Sequence, residues 1–143
     1  MLVSAILEAK GDAVATVPRT ATLGDAVADL VRHRIGALVV SPGDGTIDGI
    51  VSERDVVRCL SEFDTDILSR PVFTVMSSSV HRCAPGDSVD SIMNLMTEQR
   101  IRHVPVVEAG LLCGIISIGD VVKSRMGELE KDRNELMEYI SAR

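Results

Sequence analysis

The sequence predicts a mixed α+β fold. Two copies of one β-α-β-β-α unit pack as a pseudo-twofold pair, and a C-terminal helical extension follows. Three observations predict it. First, the chain repeats itself, aligning Val14 with Val80, Arg34 with Arg100, Ile35 with Ile101 and Val40 with Val106. Second, after one residue is lost in a glycine-rich turn, Gly49-Ile50-Val51-Ser52-Glu53-Arg54-Asp55 aligns with Gly114-Ile115-Ile116-Ser117-Ile118-Gly119-Asp120. Third, an apolar stripe of Val122, Met126, Leu129, Leu136 and Ile140 runs on past the second copy at heptad-like spacing, interrupted by Arg133. Three strands and two helices cannot bury both faces of their sheet alone, whereas two stacked copies can.

The elements follow in order. Residues 3–9 read as a short helical lead-in. Val14 to Val17 reads as a strand closed by Pro18. Thr22 caps a helix, with Asp25 three residues on, and Leu23, Ala26, Val27, Leu30 and Val31 share one face. Leu38 to Val40 and Ile47 to Val51 are strands joined by the turn Pro42-Gly43-Asp44-Gly45. A helix follows from Glu53 to about Phe63. Residues 64–71 are a polar linker ending at Pro71, and Val72 to Met76 begins a second lead-in. The second copy has a strand at Val80 to Cys83 and a helix capped by Ser88, with Val89, Ile92, Met93 and Met96 facing inward. A hairpin of Val104 to Val107 with Leu111 to Ile116 comes next, and the last helix starts near Ile118. Gly127 is expected to mark a bend in it.

The 143 residues suit a unit of ordinary domain size, and 45% hydrophobic content is globular. The only aromatics are Phe63, Phe73 and Tyr139, so the core is aliphatic. A net charge of −6 with no basic tract lacks the footprint of a nucleic-acid binder. No apolar run is long enough to span a bilayer, and the first residues lack the basic region of a secretory signal. Cys59, Cys83 and Cys113 are isolated and odd in number, as expected of reduced, buried thiols in a cytoplasmic protein. No P-loop, Gly-x-Gly-x-x-Gly, metal cluster or nucleophile–base pair supports catalysis, so the expectation is not an enzyme and no metal.

Each Gly-h-h-Ser-x-x-Asp stretch (h, β-branched) reads as strand end, sharp turn and helix start. Ser52 with Asp55, and Ser117 with Asp120, form the spacing of a capping box. A capping box needs no ligand, but two copies in register ask for a second role. Together with Arg102-His103-Val104-Pro105-Val106, this pattern resembles the CBS-domain family, in particular a stand-alone tandem pair (a Bateman module). On that resemblance repeat 1 spans 3–63, the linker 64–71, repeat 2 72–125 and the extension 126–143. The first copy departs from the pattern, since Gly36-Ala37-Leu38-Val39 stands where the second has Arg-His-Val-Pro.

The resemblance implies a ligand-sensing regulatory module that binds an adenosyl compound in clefts between the repeats. AMP is favoured, then ADP and ATP, because the second copy alone offers two obvious phosphate-directed side chains and the chain is acidic. NAD(H) or S-adenosylmethionine, or a ligand-free oligomerisation module, are the alternatives. Asp55 and Asp120 would accept hydrogen bonds from the ribose hydroxyls, since ionised acceptors make the stronger bonds. Ser52 and Ser117 would assist at the helix starts. Arg102 and His103 would meet phosphate, or stand as a solvated charge and a surface histidine. Adenine would lie among Val14, Ile35 and Val51 in one cleft and Val80, Ile101 and Ile116 in the other, residues that also read as ordinary core. Ser77 and Ser78 are loop residues or ligand contacts. Arg34 and Arg100 read as exposed helix-end charges. The expected partners are an adenine nucleotide, an unidentified target protein and a second copy of the chain in a homodimer, with neither nucleic acid nor membrane.

Overall fold

The computed structural model describes residues 1–142. Helices and strands alternate as α1 (Val3–Lys10), β1 (Thr16–Val17), α2 (Leu23–His33), β2 (Ala37–Val40), β3 (Gly49–Ser52), α3 (Glu53–Glu62), α4 (Val89–Gln99), β4 (His103–Glu108), β5 (Leu111–Ser117) and α5 (Ile118–Ser141). Each copy forms its own small sheet. In the first the order is β1-β2-β3, with β1 parallel and β3 antiparallel to β2. In the second, β4 and β5 form an antiparallel hairpin with a register shift between Val106 and Val107.

Local signals place the helices. Thr22, Ser52 and Ser117 each cap through the side chain, and the acid three residues on answers the cap backbone. Ser88 caps α4 through its hydroxyl. The buried stripe of α2 is Leu23, Ala26 and Leu30. Val31, expected on that face, is instead exposed, because it stands one residue round the helix from Leu30.

Val80 to Cys83 does not form a strand. Only Cys83 bridges to Val106, donating its N–H to Pro105 O and accepting from Val107 N–H. The next rung would need an N–H from residue 105, and proline has none. The matching residue in the first copy is Val39, and there Thr16 and Val17 do pair with Val39 and Val40. Even so, β1 is shorter than expected, because Val14 and Ala15 lie outside the ladder. The linker holds a 3₁₀ helix at Thr65–Ser69, and the second lead-in contains another, at Val72–Thr74.

There are two cores, and each lead-in docks on the other copy. Val3 and Ile6 of α1 are buried with Cys83, Val89, Ile92, Val104 and Ile116. Ile67 and Val72 are buried with Leu23, Leu38, Val51 and Val56. The cross-docking repeats in its hydrogen bonds: Val3 N–H to Asp87 O matches Val72 N–H to Ala21 O, and Val89 N–H to Met1 O matches Leu23 N–H to Arg70 O. It repeats in the motif glycines too. A Cβ on Gly114 would meet Leu7 at 2.6 Å, and one on Gly49 would meet Met76 at 2.6 Å. The first glycine of each motif is therefore where the exchanged lead-in presses on the sheet.

Cys59 and Cys83 are buried free thiols, whereas Cys113 is only half-buried. Burial pushes the Cys83 thiol up to about 12, so it stays protonated. The helix α5 runs through Gly127 without interruption. Val122, Met126, Leu129, Leu136 and Ile140 are all between 50% and 59% exposed, so the chain itself leaves the stripe uncovered.

Candidate functional site between the two repeats

The two Ser-x-x-Asp junctions are built alike. Ser52 N–H donates to Asp55 Oδ2 at 2.9 Å, and Asp55 N–H donates to Ser52 Oγ at 3.3 Å. Ser117 N–H donates to Asp120 Oδ2 at 2.8 Å, and Asp120 N–H donates to Ser117 Oγ at 3.2 Å. The boxes hold each carboxylate at a strand-to-helix junction. Capping uses only part of a carboxylate's accepting capacity, about four lone pairs, so it does not exhaust either acid.

The remaining capacity differs between the copies. Asp55 Oδ1 takes Arg58 Nη2 at 2.8 Å, within one helix. Asp120 Oδ2 takes Lys10 Nζ at 2.7 Å, from the exchanged α1. Lys10 Nζ also donates to Ile115 O at 3.0 Å. Burial would raise the Asp120 carboxyl, but the hydrogen bonds from Lys10 and Ser117 outweigh it and hold it below its ordinary value.

One cavity of about 1030 Å³ lies between the copies and is lined by both. Val14, Ile35, Ser52, Asp55 and Ser77 reach it from one side of the sequence, and Val80, Ile101, Arg102, His103 and Ser117 from the other. Asp120 is not in its wall, but Lys10 is.

Three placements are corrected. Val51 and Ile116 point into the two cores, 0% and 1% exposed, and their neighbours Ile50 and Ile115 line the cavity instead. Side chains alternate along a strand, so an offset of one residue selects the opposite face. Ser78 is exposed away from the cavity, which takes Ser77 and Ser79. Ser77 itself is held by paired backbone bonds with Ile50, each 2.9 Å.

The cavity wall is basic, in contrast to the chain. Lys10, Arg34, Arg54, Arg58, Arg100 and Arg102 line it against only Glu53 and Asp55, with His33, His81 and His103. Arg34 and Arg100 are helix-end residues, as expected, but they also face this cavity. Each is the C-cap of its helix with φ 54°, a left-handed conformation that costs a non-glycine residue about 1 kcal/mol or more. At Gly36, where the second copy has Arg102, space is tight. A Cβ on Gly36 would lie 2.8 Å from Glu53 Oε1 and 3.0 Å from His103 Cε1. His103 of the second copy therefore fills the space beside Gly36. Burial lowers the His103 pKa, against the opposing pull of Glu53 and Asp120.

Sequence reasoning missed Lys10, Ile50, Glu53, Arg54, Arg58, Ser79, His81 and Ile115 as wall residues. Ile50-Val51 and Ile115-Ile116 are apolar pairs, so strand alternation could not single out Ile50 and Ile115. Nothing local marks Lys10. Among the described residues, no group of three or more His, Cys, Asp or Glu side chains is placed to hold a metal ion, and no helix is long and apolar enough to cross a membrane.

Comparison with known proteins agrees with this architecture. The family model for the CBS domain matches twice, over residues 10–62 and 66–127. A CBS-domain-containing protein from Agrobacterium tumefaciens has a crystal structure similar to this one, with a TM-score of 0.85 and 43% identity, covering 87% of this chain and 99% of that one. The CBS domain protein of Pyrobaculum aerophilum, solved in complex with AMP, has a TM-score of 0.74 and 29% identity, covering 84% of this chain and 89% of that one. The mitochondrial CBS domain-containing protein CBSX3 of Arabidopsis thaliana is 36% identical over 123 residues, which are 83% of this chain and 60% of that protein. With two matched repeats, two equivalent capped junctions and one cavity between them, the chain belongs to the CBS domain family.

Proposed function

We propose that this chain is a regulatory module that binds an adenine nucleotide in the cavity between its two CBS repeats. It acts by binding rather than by turnover, changing the shape or rigidity it presents to a target protein. One observation carries the reading: both capped Ser-x-x-Asp junctions reach a single cavity, through Ser52, Asp55 and Ser117, and its wall is basic in an acidic chain. Carboxylates suit ribose hydroxyls, and Lys and Arg suit phosphate. AMP is the first candidate, and the AMP complex of the Pyrobaculum aerophilum relative supports it. The charge argument against ATP fails, however. It rested on two basic side chains, and the wall has several more. ADP, ATP and NAD(H) therefore belong in the same test as AMP and S-adenosylmethionine.

The test is calorimetric titration of nucleotide-free protein with AMP, ADP, ATP, NADH and S-adenosylmethionine, with thermal unfolding in parallel. A ligand present at about 100 times its dissociation constant stabilises the fold by about 2.7 kcal/mol. Neither heat nor a thermal shift with any of them at millimolar concentration overturns the reading.

We also propose a homodimer to which α5 contributes. A helix with its stripe in water needs a surface to cover, and a second copy supplies an identical stripe. Truncation after Arg125 is expected to shift the protein towards monomer in sedimentation at micromolar concentration. A full-length monomer there rejects the dimer, and an unchanged dimer after truncation rejects the role of the extension.

A further inference from the structure

Lys10 breaks the symmetry of the two motifs. Its Nζ bonds Asp120 Oδ2 at 2.7 Å and Ile115 O at 3.0 Å, using two of an ammonium's three donors. It reaches there because α1 is exchanged onto the second copy, with Leu7 pressed on Gly114. In the matching exchange Met76 presses on Gly49, and three residues beyond Met76, as Lys10 is three beyond Leu7, stands Ser79. Ser79 also lines the cavity but carries no charge. The cation on Asp55 is instead Arg58, held within its own helix.

We propose that Lys10 is a specificity-determining residue that makes binding at the second motif depend on a phosphate group. The proposal rests on the nucleotide reading above and names which adenosyl ligands this motif accepts. Ribose hydroxyls that bond Asp120 compete with the ammonium for the carboxylate. Lys10 is then left with Ile115 O alone unless the ligand brings an anion. A phosphate restores a charged partner to it. A neutral nucleoside does not, and S-adenosylmethionine is net cationic, its sulfonium and ammonium outnumbering its one carboxylate. The second motif thus ranks AMP above adenosine, and adenosine above S-adenosylmethionine. At the first motif Ser79 carries no charge, and Arg58, 58% exposed against 33% for Lys10, is better hydrated when it leaves Asp55, so the filter is weaker there.

The experiment is calorimetry of the full chain with AMP, adenosine and S-adenosylmethionine, for wild type and for Lys10→Met, Lys10→Gln and Lys10→Arg. The AMP-to-adenosine affinity ratio is expected to fall about tenfold or more in the Met and Gln variants, with S-adenosylmethionine gaining, while Lys10→Arg keeps the ratio of wild type. The Gln variant retains hydrogen bonding without charge, so it separates the ammonium's charge from its packing. Unchanged ratios in the Met and Gln variants overturn the role of Lys10 while leaving nucleotide binding intact. A wild-type protein that binds none of the three overturns the assignment together with its adenosyl-ligand premise.

Discussion

Asp120→Asn is expected to weaken nucleotide binding by about 10- to 150-fold, the worth of one charge-assisted hydrogen bond. The substitution keeps the shape of the side chain. It removes the charge and turns one acceptor into an amide that donates. That amide faces donors: Ser117 N–H and Lys10 Nζ now, and ribose hydroxyls in the proposed complex. The fold should survive, because an Asn carbonyl can still accept from Ser117 and Ser117 Oγ still caps the helix. Some stability is lost with the Lys10 pair, which is only part-buried and so worth little, about 0–1 kcal/mol. The sign with pH follows from the lowered carboxyl. Its contribution is present above the unfolded carboxylate value and is lost as pH falls through the lower folded value. The stability gap between wild type and Asp120→Asn should therefore close in acid. Calorimetry for affinity and thermal unfolding across pH check both parts. Unchanged affinity would show that Asp120 serves only to start α5.

Ile116→Ala is expected to cost about 2–5 kcal/mol of stability, the range for emptying a buried aliphatic site. Ile115→Ala should cost clearly less and weaken nucleotide binding instead. The two residues are neighbours on β5, but their side chains leave opposite faces. Ile116 is 1% exposed, in the core with Val3, Val104 and Val121. Ile115 is half-buried in the cavity wall. Domains of this kind have about 5–15 kcal/mol in total, so the first loss is a large share. Urea unfolding and nucleotide titration of both variants decide the matter. Equal destabilisation by the two, or lost affinity only in Ile116→Ala, would reverse the assignment of faces. The same contrast applies to Val51 and Ile50 on β3.

What sequence alone determined here is what neighbouring residues decide among themselves. Ser52 with Asp55, and Ser117 with Asp120, start helices because a three-residue spacing lets the hydroxyl accept from the acid's N–H while the carboxylate accepts from the serine's N–H. Pro105 stood in plain sight, but its effect did not: it pairs with Ile115 inside β4, and its missing N–H stops only the rung that Val80 to Cys83 would have needed. The repeat told that two similar units would pack together. The face of each motif strand was not legible. Ile50-Val51 and Ile115-Ile116 are apolar on both sides, so the alternation that identifies a face in a half-buried strand carries no contrast. Tertiary structure also decided which copy each lead-in serves, because both copies offer similar apolar faces and only chain geometry selects the exchange. The basic wall has the same origin. Arg34 and Arg100 gather with Lys10 only because two helix ends and a distant lead-in converge between the copies. Lys10 and Asp120 are 110 residues apart, and no periodicity or local motif couples them. Their 2.7 Å contact exists because packing brings α1 against β5 and the start of α5.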